Sequence, residues 1–106
     1  MAWIYLLLAG MFEIGWPLGL KFAQKDNFIM MLGFILAGAS IIFSGFFLYL
    51  AQKEIPMGTA YAVWTAIGSA GTFAIGILFF GDATSLLRYL GVILIISGVI
   101  ILKLAS

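Results

Sequence analysis

The sequence predicts an all-α integral membrane protein with four transmembrane helices. Of its 106 residues, 65% are hydrophobic and 8% are charged, whereas charged residues usually make up about a quarter of a soluble domain. The apolar residues fall into long runs separated by short polar stretches, and each run approaches the length of about 20 residues that a helix needs to span a bilayer. Lipid offers no partner for unpaired backbone groups, so helices are the expected spanning structure.

The four apolar runs predict four spans within a single domain that covers residues 1–106. The predicted spans are 2–22, 29–51, 57–80 and 85–104. Their boundaries are polar, with KFAQKD at 21–26, QKEIP at 52–56 and GDATS at 81–85. No cationic stretch precedes the first run, which continues past Gly10, so we expect a retained span rather than a cleaved signal peptide. A buried soluble bundle is the alternative, but nothing polar would cover its outside.

The composition excludes several classes of function. The chain has no cysteine and no histidine, which removes disulfides, thiol chemistry and the usual zinc or haem ligands. Its four carboxylates, at Glu13, Asp26, Glu54 and Asp82, are too few to predict a metal cage. A net charge of +1 does not support a basic nucleic-acid surface. We therefore expect no cofactor, no metal site and no nucleic-acid partner.

The few basic residues give almost no orientation signal. With four spans, Lys53 and Lys103 lie on one side of the membrane, and the other side carries Lys21, Lys25 and Arg88. This near balance favours insertion in both orientations, although chance gives the same count in a chain with few charges. A single copy of four helices has little room for a solute pathway between them, so a transporter of this size is expected to act as an oligomer. Two oppositely inserted copies would reproduce the inverted symmetry that many transporters carry within one chain.

Glu13 is the strongest functional signal, because it is the only charged side chain before Lys21 and lies near the middle of the first span. A charge at that depth is costly, so it normally faces a water-filled cavity or a partner. Residues three and four apart share a helix face. The face of Glu13 therefore also carries Gly10, Trp16 and Pro17. We expect Gly10 to line the pocket, Trp16 to form an aromatic wall or to face lipid, and Pro17 to loosen the helix. The alternative role for Glu13 is a protonated side chain that holds helices together.

The third span begins with GTAYAVWTAIGSAGT at 58–72, in which Tyr61 and Trp64 share a face. Tyr61 is expected to donate a hydrogen bond to a carboxylate, and Trp64 to offer its π face to a cation. Gly68 and Gly71 lie in the stretch with the weakest helix propensity of the chain, which predicts a hinge. Tight helix packing explains the same small residues equally well.

The second and fourth spans add smaller signals. Ser40 and Ser44 share one stripe of the second span. Ser44 is expected to orient the carboxylate of Glu13 or, as serine does more commonly, to bond a carbonyl of its own helix. Gly91 and Gly98 are seven residues apart in the fourth span. This spacing places both glycines on one face of the helix, called the seam below. Such a face predicts a contact between helices, for example one between subunits.

Together, these residues predict a secondary transporter and not an enzyme. A proton and a cation would compete for Glu13, and alternating exposure of the site would give antiport, with protons moving in and the cation moving out. Two rival hypotheses do not involve antiport. In one, the chain is a structural or accessory membrane protein in which Glu13 joins helices. In the other it is a small pore, although the polar residues of the spans do not form the continuous polar stripe that a pore needs. These residues are Glu13, Ser44, Tyr61 and Thr65.

The chain resembles the small multidrug resistance transporters over nearly its whole length. The residues that carry the resemblance are FEIGW at 12–16, PMGTAYAVWTAIG at 56–68 and the seam of Gly91 and Gly98. The resemblance implies an antiparallel homodimer of dual-topology subunits in the inner membrane, with the fourth helix as the main dimer contact. It also implies that the glutamate matching Glu13 couples proton entry to cation export.

Within this family, Trp16 resembles the guanidinium exporter branch, since the multidrug branch typically carries a small residue there. The branch implies that Ser44 helps to hold the glutamate and that Tyr61 and Trp64 belong to the substrate pocket. Guanidinium suits a carboxylate, because this planar cation can form two parallel hydrogen bonds with it. An exporter of quaternary ammonium and other lipophilic cations is the rival, and Trp16 narrows the space for them. Pro17 departs from the small or aliphatic residue expected in this branch, and a paired heteromeric subunit is the alternative to a homodimer.

Overall fold

A computed structural model describes residues 1–105 of the protein, and over this range the chain forms four α-helices and no strand. The helices are α1 (Ala2–Phe22), α2 (Asn27–Ala51), α3 (Met57–Phe80) and α4 (Leu86–Ala105). Each of these helices is long and apolar enough to cross a membrane. The predicted all-α membrane fold class is therefore confirmed.

Local backbone chemistry explains where two helices start differently from the predicted spans. α2 begins at Asn27 rather than at residue 29, and the φ of Asn27 is 58°, a left-handed conformation that asparagine tolerates. α4 begins at Leu86 rather than at residue 85, because Ser85 caps it. The Ser85 hydroxyl accepts a hydrogen bond from the Arg88 N–H at 3.3 Å, as serine at this position commonly does.

α1 is the central helix and packs against both α2 and α3. Its contact with α2 depends on small residues. A Cβ atom added to Gly19 would lie 2.6 Å from both the carbonyl oxygen of Gly33 and the backbone nitrogen of Ala37. The two backbones therefore meet directly, in the close approach that small residues allow between membrane helices. This contact fixes which face of α2 points at α1.

A small hydrophobic core joins α1 and α3 near the connection at 52–56. Leu6 of α1 and Val63 of α3 are among its most completely buried side chains. The buried members of the cluster are Ala2, Leu6, Ala51, Ile55, Ala60 and Val63. This core holds α3 against the amino-terminal half of α1, and Glu13 lies just beyond it.

α4 is the least covered helix. Within residues 86–105, none is buried in this chain. The helix packs against α3, and the Lys103 ammonium lies 4.5 Å from the ring centroid of Trp3 in α1. A Cβ atom added to Gly91 or Gly98 would have no neighbour within 4 Å in the described part of the chain. Gly91 is exposed, whereas Gly98 is half-buried and borders a cavity between α3 and α4. Their role in a dimer contact stays a prediction.

Candidate functional site

Glu13 is half-buried between α2 and α3, and a glycine makes room for it. A Cβ atom added to Gly68 of α3 would overlap the Cγ atom of Glu13. One turn further along, a Cβ atom on Gly71 would overlap the side chain of Ile14. These glycines let α1 approach α3 closely and leave space for the glutamate. Such close packing is the alternative to a hinge that the sequence also predicts for them. Their predicted role as a hinge stays a prediction.

Two neutral donors hold the Glu13 carboxylate, one on each oxygen. The indole N–H of Trp16 donates to Oε1 at 2.7 Å, and the hydroxyl of Ser44 donates to Oε2 at 3.3 Å. Trp16 lies on the same face of α1, as its spacing from Glu13 predicts. Each carboxylate oxygen accepts one of these bonds and keeps a further acceptor site for another donor.

Ser44 connects three helices through one hydroxyl group. The side chain is 1% exposed, and it also donates to the carbonyl oxygen of Ala9 in α1 at 2.8 Å. The indole N–H of Trp64 in α3 donates to the Ser44 oxygen at 2.7 Å. Because a hydroxyl carries one proton, Ser44 can donate to Ala9 or to Glu13 at a given moment, but not fully to both. The small-residue contact between α1 and α2 aims Ser44 at this position.

The role of Trp64 therefore differs from the sequence expectation in one respect. The sequence predicts a π face presented to a cation, whereas the structure also gives Trp64 a polar contact through its N–H. Sequence reasoning did not find Ala9, whose carbonyl competes for the Ser44 proton. The available signal was its place four residues before Glu13, on the same face of α1.

Tyr61 and Gly10 belong to the predicted pocket, but among the described residues the hydrogen bonds of the carboxylate come from Trp16 and Ser44 and not from these two. Tyr61 is 56% exposed, its ring packs on Trp64 with centroids 5.3 Å apart, and no hydrogen bond between residues 1 and 105 joins its hydroxyl to Glu13. Gly10 is buried at a helix contact, where an added Cβ atom would lie 2.6 Å from the side chain of Ile67. The pocket roles of both residues stay predictions.

A cleft between α1 and α3 lies on the carboxyl-terminal side of Glu13. It has a volume of about 160 Å³. Its walls are mainly apolar, and its lining residues are Ile14, Pro17, Leu18, Lys21, Thr72, Ile75, Gly76, Phe80 and Asp82. Lys21 and Asp82 are exposed and mark the mouth of the cleft. Sequence reasoning did not predict this cleft, because it depends on how closely α1 and α3 pack.

The chemistry of the site is that of a single carboxylate with neutral hydrogen-bond donors. Among the described residues, no three His, Cys, Asp or Glu side chains lie close enough to hold a metal ion. No buried side-chain nitrogen or oxygen in that part of the chain lacks a hydrogen-bond partner. The arrangement can bind a proton, or a small cation that donates hydrogen bonds.

Comparison with known proteins identifies the family of the chain. The Small Multidrug Resistance protein family matches residues 1–95. The guanidinium exporter of Yersinia pseudotuberculosis serotype I (strain IP32953) is 45% identical over 106 residues, which is 100% of both chains. The guanidinium exporter of Proteus vulgaris is 42% identical over 100% of both chains. That of Salmonella typhimurium is 42% identical over 100% of this chain and 99% of its own.

These matches confirm the resemblance that FEIGW and PMGTAYAVWTAIG indicate. They cover the four helices, including α1 with Glu13. The chain belongs to the small multidrug resistance family, and it is a multi-pass transporter of the inner membrane rather than an enzyme.

Proposed function

We propose that this chain exports guanidinium in exchange for protons, and that Glu13 binds the proton and the cation in competition. One observation carries the proposal: the Glu13 carboxylate lies inside a spanning helix, and the groups that hold it, Trp16 and Ser44, are neutral. No fixed cation among these partners neutralises the carboxylate, so a mobile cation can do so. The relatives that are named guanidinium exporters support guanidinium as the cation.

Ser44 can form a hydrogen bond with Glu13 both when the carboxylate is ionised, ready for a cation, and when it carries a proton. When Glu13 is ionised, the Ser44 proton turns toward the carboxylate, which lies 3.3 Å away. When Glu13 is protonated, its own O–H can donate to Ser44, and the Ser44 proton turns to the Ala9 carbonyl at 2.8 Å. Trp64 donates to the Ser44 oxygen in both cases. Both states of Glu13 therefore have a complete set of hydrogen bonds.

Guanidinium fits the ionised state better than a quaternary ammonium ion does. A planar guanidinium group can place two N–H donors on the two carboxylate oxygens. A quaternary ammonium ion has no N–H group, so it would leave those acceptor sites unused and would rely on charge and on the faces of Trp16 and Trp64. Export of quaternary ammonium cations is the second candidate function, and it predicts that hydrogen-bond donors on the substrate are not required.

An antiparallel homodimer would complete the pathway. The α4 helix presents a surface that this chain leaves open, and Gly91 and Gly98 on it would allow a close contact with a second copy. Inversion of one copy would place two Glu13 side chains in a shared cavity. A hinge at Gly68 and Gly71 would then let the cavity open to one side at a time. The nearly balanced distribution of Lys and Arg agrees with insertion in both orientations.

The proposal is tested with purified protein in liposomes that carry an internal pH indicator. A guanidinium gradient is imposed, and the wild type is compared with Glu13→Gln and with Glu54→Gln, a matched loss of a carboxylate in the exposed loop. We expect guanidinium to drive proton movement in the wild type and in Glu54→Gln, but not in Glu13→Gln.

The other outcomes each favour a rival. Proton movement driven by tetraethylammonium but not by guanidinium would favour export of quaternary ammonium cations. Proton movement with neither cation, in folded protein, would contradict antiport. In that case, Glu13 would act as a contact between helices, as in the structural hypothesis.

A further inference from the structure

Pro17 changes the backbone hydrogen bonding of Glu13, the residue on which the proposed function rests. In an α-helix, the carbonyl of each residue accepts a bond from the N–H four residues later. Pro17 stands four residues after Glu13, inside α1, which continues to Phe22. Proline has no N–H, so the main-chain carbonyl of Glu13 lacks the donor that every other interior carbonyl of α1 has.

The helical turn that follows Glu13 borders the cleft between α1 and α3. Helical carbonyl groups point toward the carboxyl end of the helix, so this one points toward the turn that holds Pro17. Pro17 and the adjoining residue of Glu13, Ile14, both line the cleft between α1 and α3. The cleft therefore borders the turn toward which this carbonyl points.

Among the described side-chain hydrogen bonds, none runs from a residue of the cleft to this carbonyl. Thr72 carries the only hydroxyl among the lining residues, and the side-chain hydrogen bonds of the described chain do not include one from Thr72. The charged groups Lys21 and Asp82 lie at the exposed mouth, toward the end of α1. Near Glu13, the walls are the apolar side chains of Ile14 and Pro17.

We propose that Pro17 turns the main-chain carbonyl of Glu13 into a second acceptor for cations that carry N–H groups. This inference rests on the proposed function and names a further determinant of substrate choice. After two N–H groups of guanidinium bind a carboxylate, others remain that can donate to a carbonyl. A quaternary ammonium ion gains nothing from the same carbonyl, so Pro17 favours guanidinium-type substrates over quaternary ammonium ions.

Isotope-edited infrared spectroscopy tests the acceptor directly. The chain has two glutamates, Glu13 and Glu54, so a Glu54→Gln protein with carbon-13 at the main-chain carbonyl of glutamate reports on Glu13 alone. We expect the labelled band to move to lower frequency when guanidinium binds, and to stay unchanged with tetramethylammonium. In Pro17→Ala the band should already lie at lower frequency without a cation, because the substituted alanine restores the helical N–H donor.

Transport measurements supply a second readout with a matched control. Pro17→Ala should raise the apparent KM for guanidinium by about two- to tenfold, the effect of one lost hydrogen bond. Leu18→Ala alters the same wall of the cleft but leaves the backbone bonding of Glu13 unchanged, and it should keep the wild-type KM. An equal rise in both variants would mean that the shape of the cleft matters and the carbonyl does not.

The outcomes separate this inference from the proposed function. If guanidinium still drives proton movement but the labelled band does not shift, Pro17 has no role as proposed and the exporter function stands. If the wild type moves no protons in response to guanidinium, the proposed function fails, and the inference fails with it.

Discussion

Ser44 shows at the scale of one residue how the site connects to the fold. Its hydroxyl contacts Glu13 and Ala9 of α1 and accepts a bond from Trp64 of α3. The sequence predicts that Ser44 bonds either Glu13 or a carbonyl of its own helix. The structure gives Ser44 a hydrogen bond to Glu13 and, in place of a carbonyl of α2, one to the carbonyl of Ala9 in the neighbouring helix. The contact between α1 and α2 brings the turn of Ala9 against Ser44.

The first prediction concerns Ser44→Ala. Loss of the hydroxyl removes a hydrogen bond to a charged carboxylate and leaves the N–H of Trp64 without its acceptor, so we expect guanidinium to bind about tenfold more weakly or worse. Titration calorimetry of the purified protein measures this change. Ser40→Ala is the control, because Ser40 is 4% exposed on the same face of α2 but has no hydrogen bond to Glu13. Equal losses in the two variants would show that packing, and not the hydroxyl at position 44, is responsible.

The second prediction concerns Trp16→Phe, which keeps an aromatic ring and removes the N–H that donates to Glu13 at 2.7 Å. We expect about tenfold weaker guanidinium binding, since a bond to the ionised carboxylate is lost. Trp3→Phe removes an indole N–H far from the carboxylate and should bind as the wild type does. Unchanged binding in Trp16→Phe would mean that the N–H of Trp16 does not contribute, and that Trp16 has one of the two roles predicted from the sequence, an aromatic wall or a lipid-facing side chain.

At the scale of the helices, Gly68 determines whether Glu13 fits against α3. A Cβ atom at position 68 would overlap the side chain of Glu13, so Gly68→Ala is expected to displace the glutamate and to abolish most guanidinium transport. Alanine is a better helix former than glycine by about 1 kcal/mol, so a weaker helix cannot explain such a loss. Gly58→Ala, at an open position of α3, should transport normally. Normal transport by Gly68→Ala in the liposome assay would show that the site tolerates a methyl group there.

The sequence predicts the helices better than it predicts their contacts. Polar stretches such as QKEIP mark the ends of apolar runs, so composition places the spans close to their observed bounds. The starts at Asn27 and Leu86 depend on one backbone angle and one cap, which hydropathy does not register. The donors to Glu13 depend on the rotation of α2 about its axis. Backbone contact at Gly19 and Gly33 sets this rotation, and no pattern within a single span reveals it.

At the scale of the whole molecule, the open surface of α4 is the expected site of dimerisation. We expect Gly98→Leu, which places a large side chain on the seam with Gly91, to shift the protein toward monomer and to reduce transport in parallel. Cross-linking in liposomes and light scattering in detergent measure the oligomeric state. Gly45→Leu adds the same side chain at an open position of α2 and should remain dimeric. A fully dimeric Gly98→Leu protein would place the dimer contact elsewhere.

Proton release on guanidinium binding tests the central claim most directly. In a weakly buffered solution at a pH where Glu13 is partly protonated, saturating guanidinium should displace protons from the wild type and from Glu54→Gln. The apparent affinity for guanidinium should also fall as the pH is lowered, because protons then occupy the shared carboxylate more often. The same titration of Glu13→Gln should release none. Guanidinium binding that releases no protons from the wild type, at any pH in the titration, would contradict competition at Glu13.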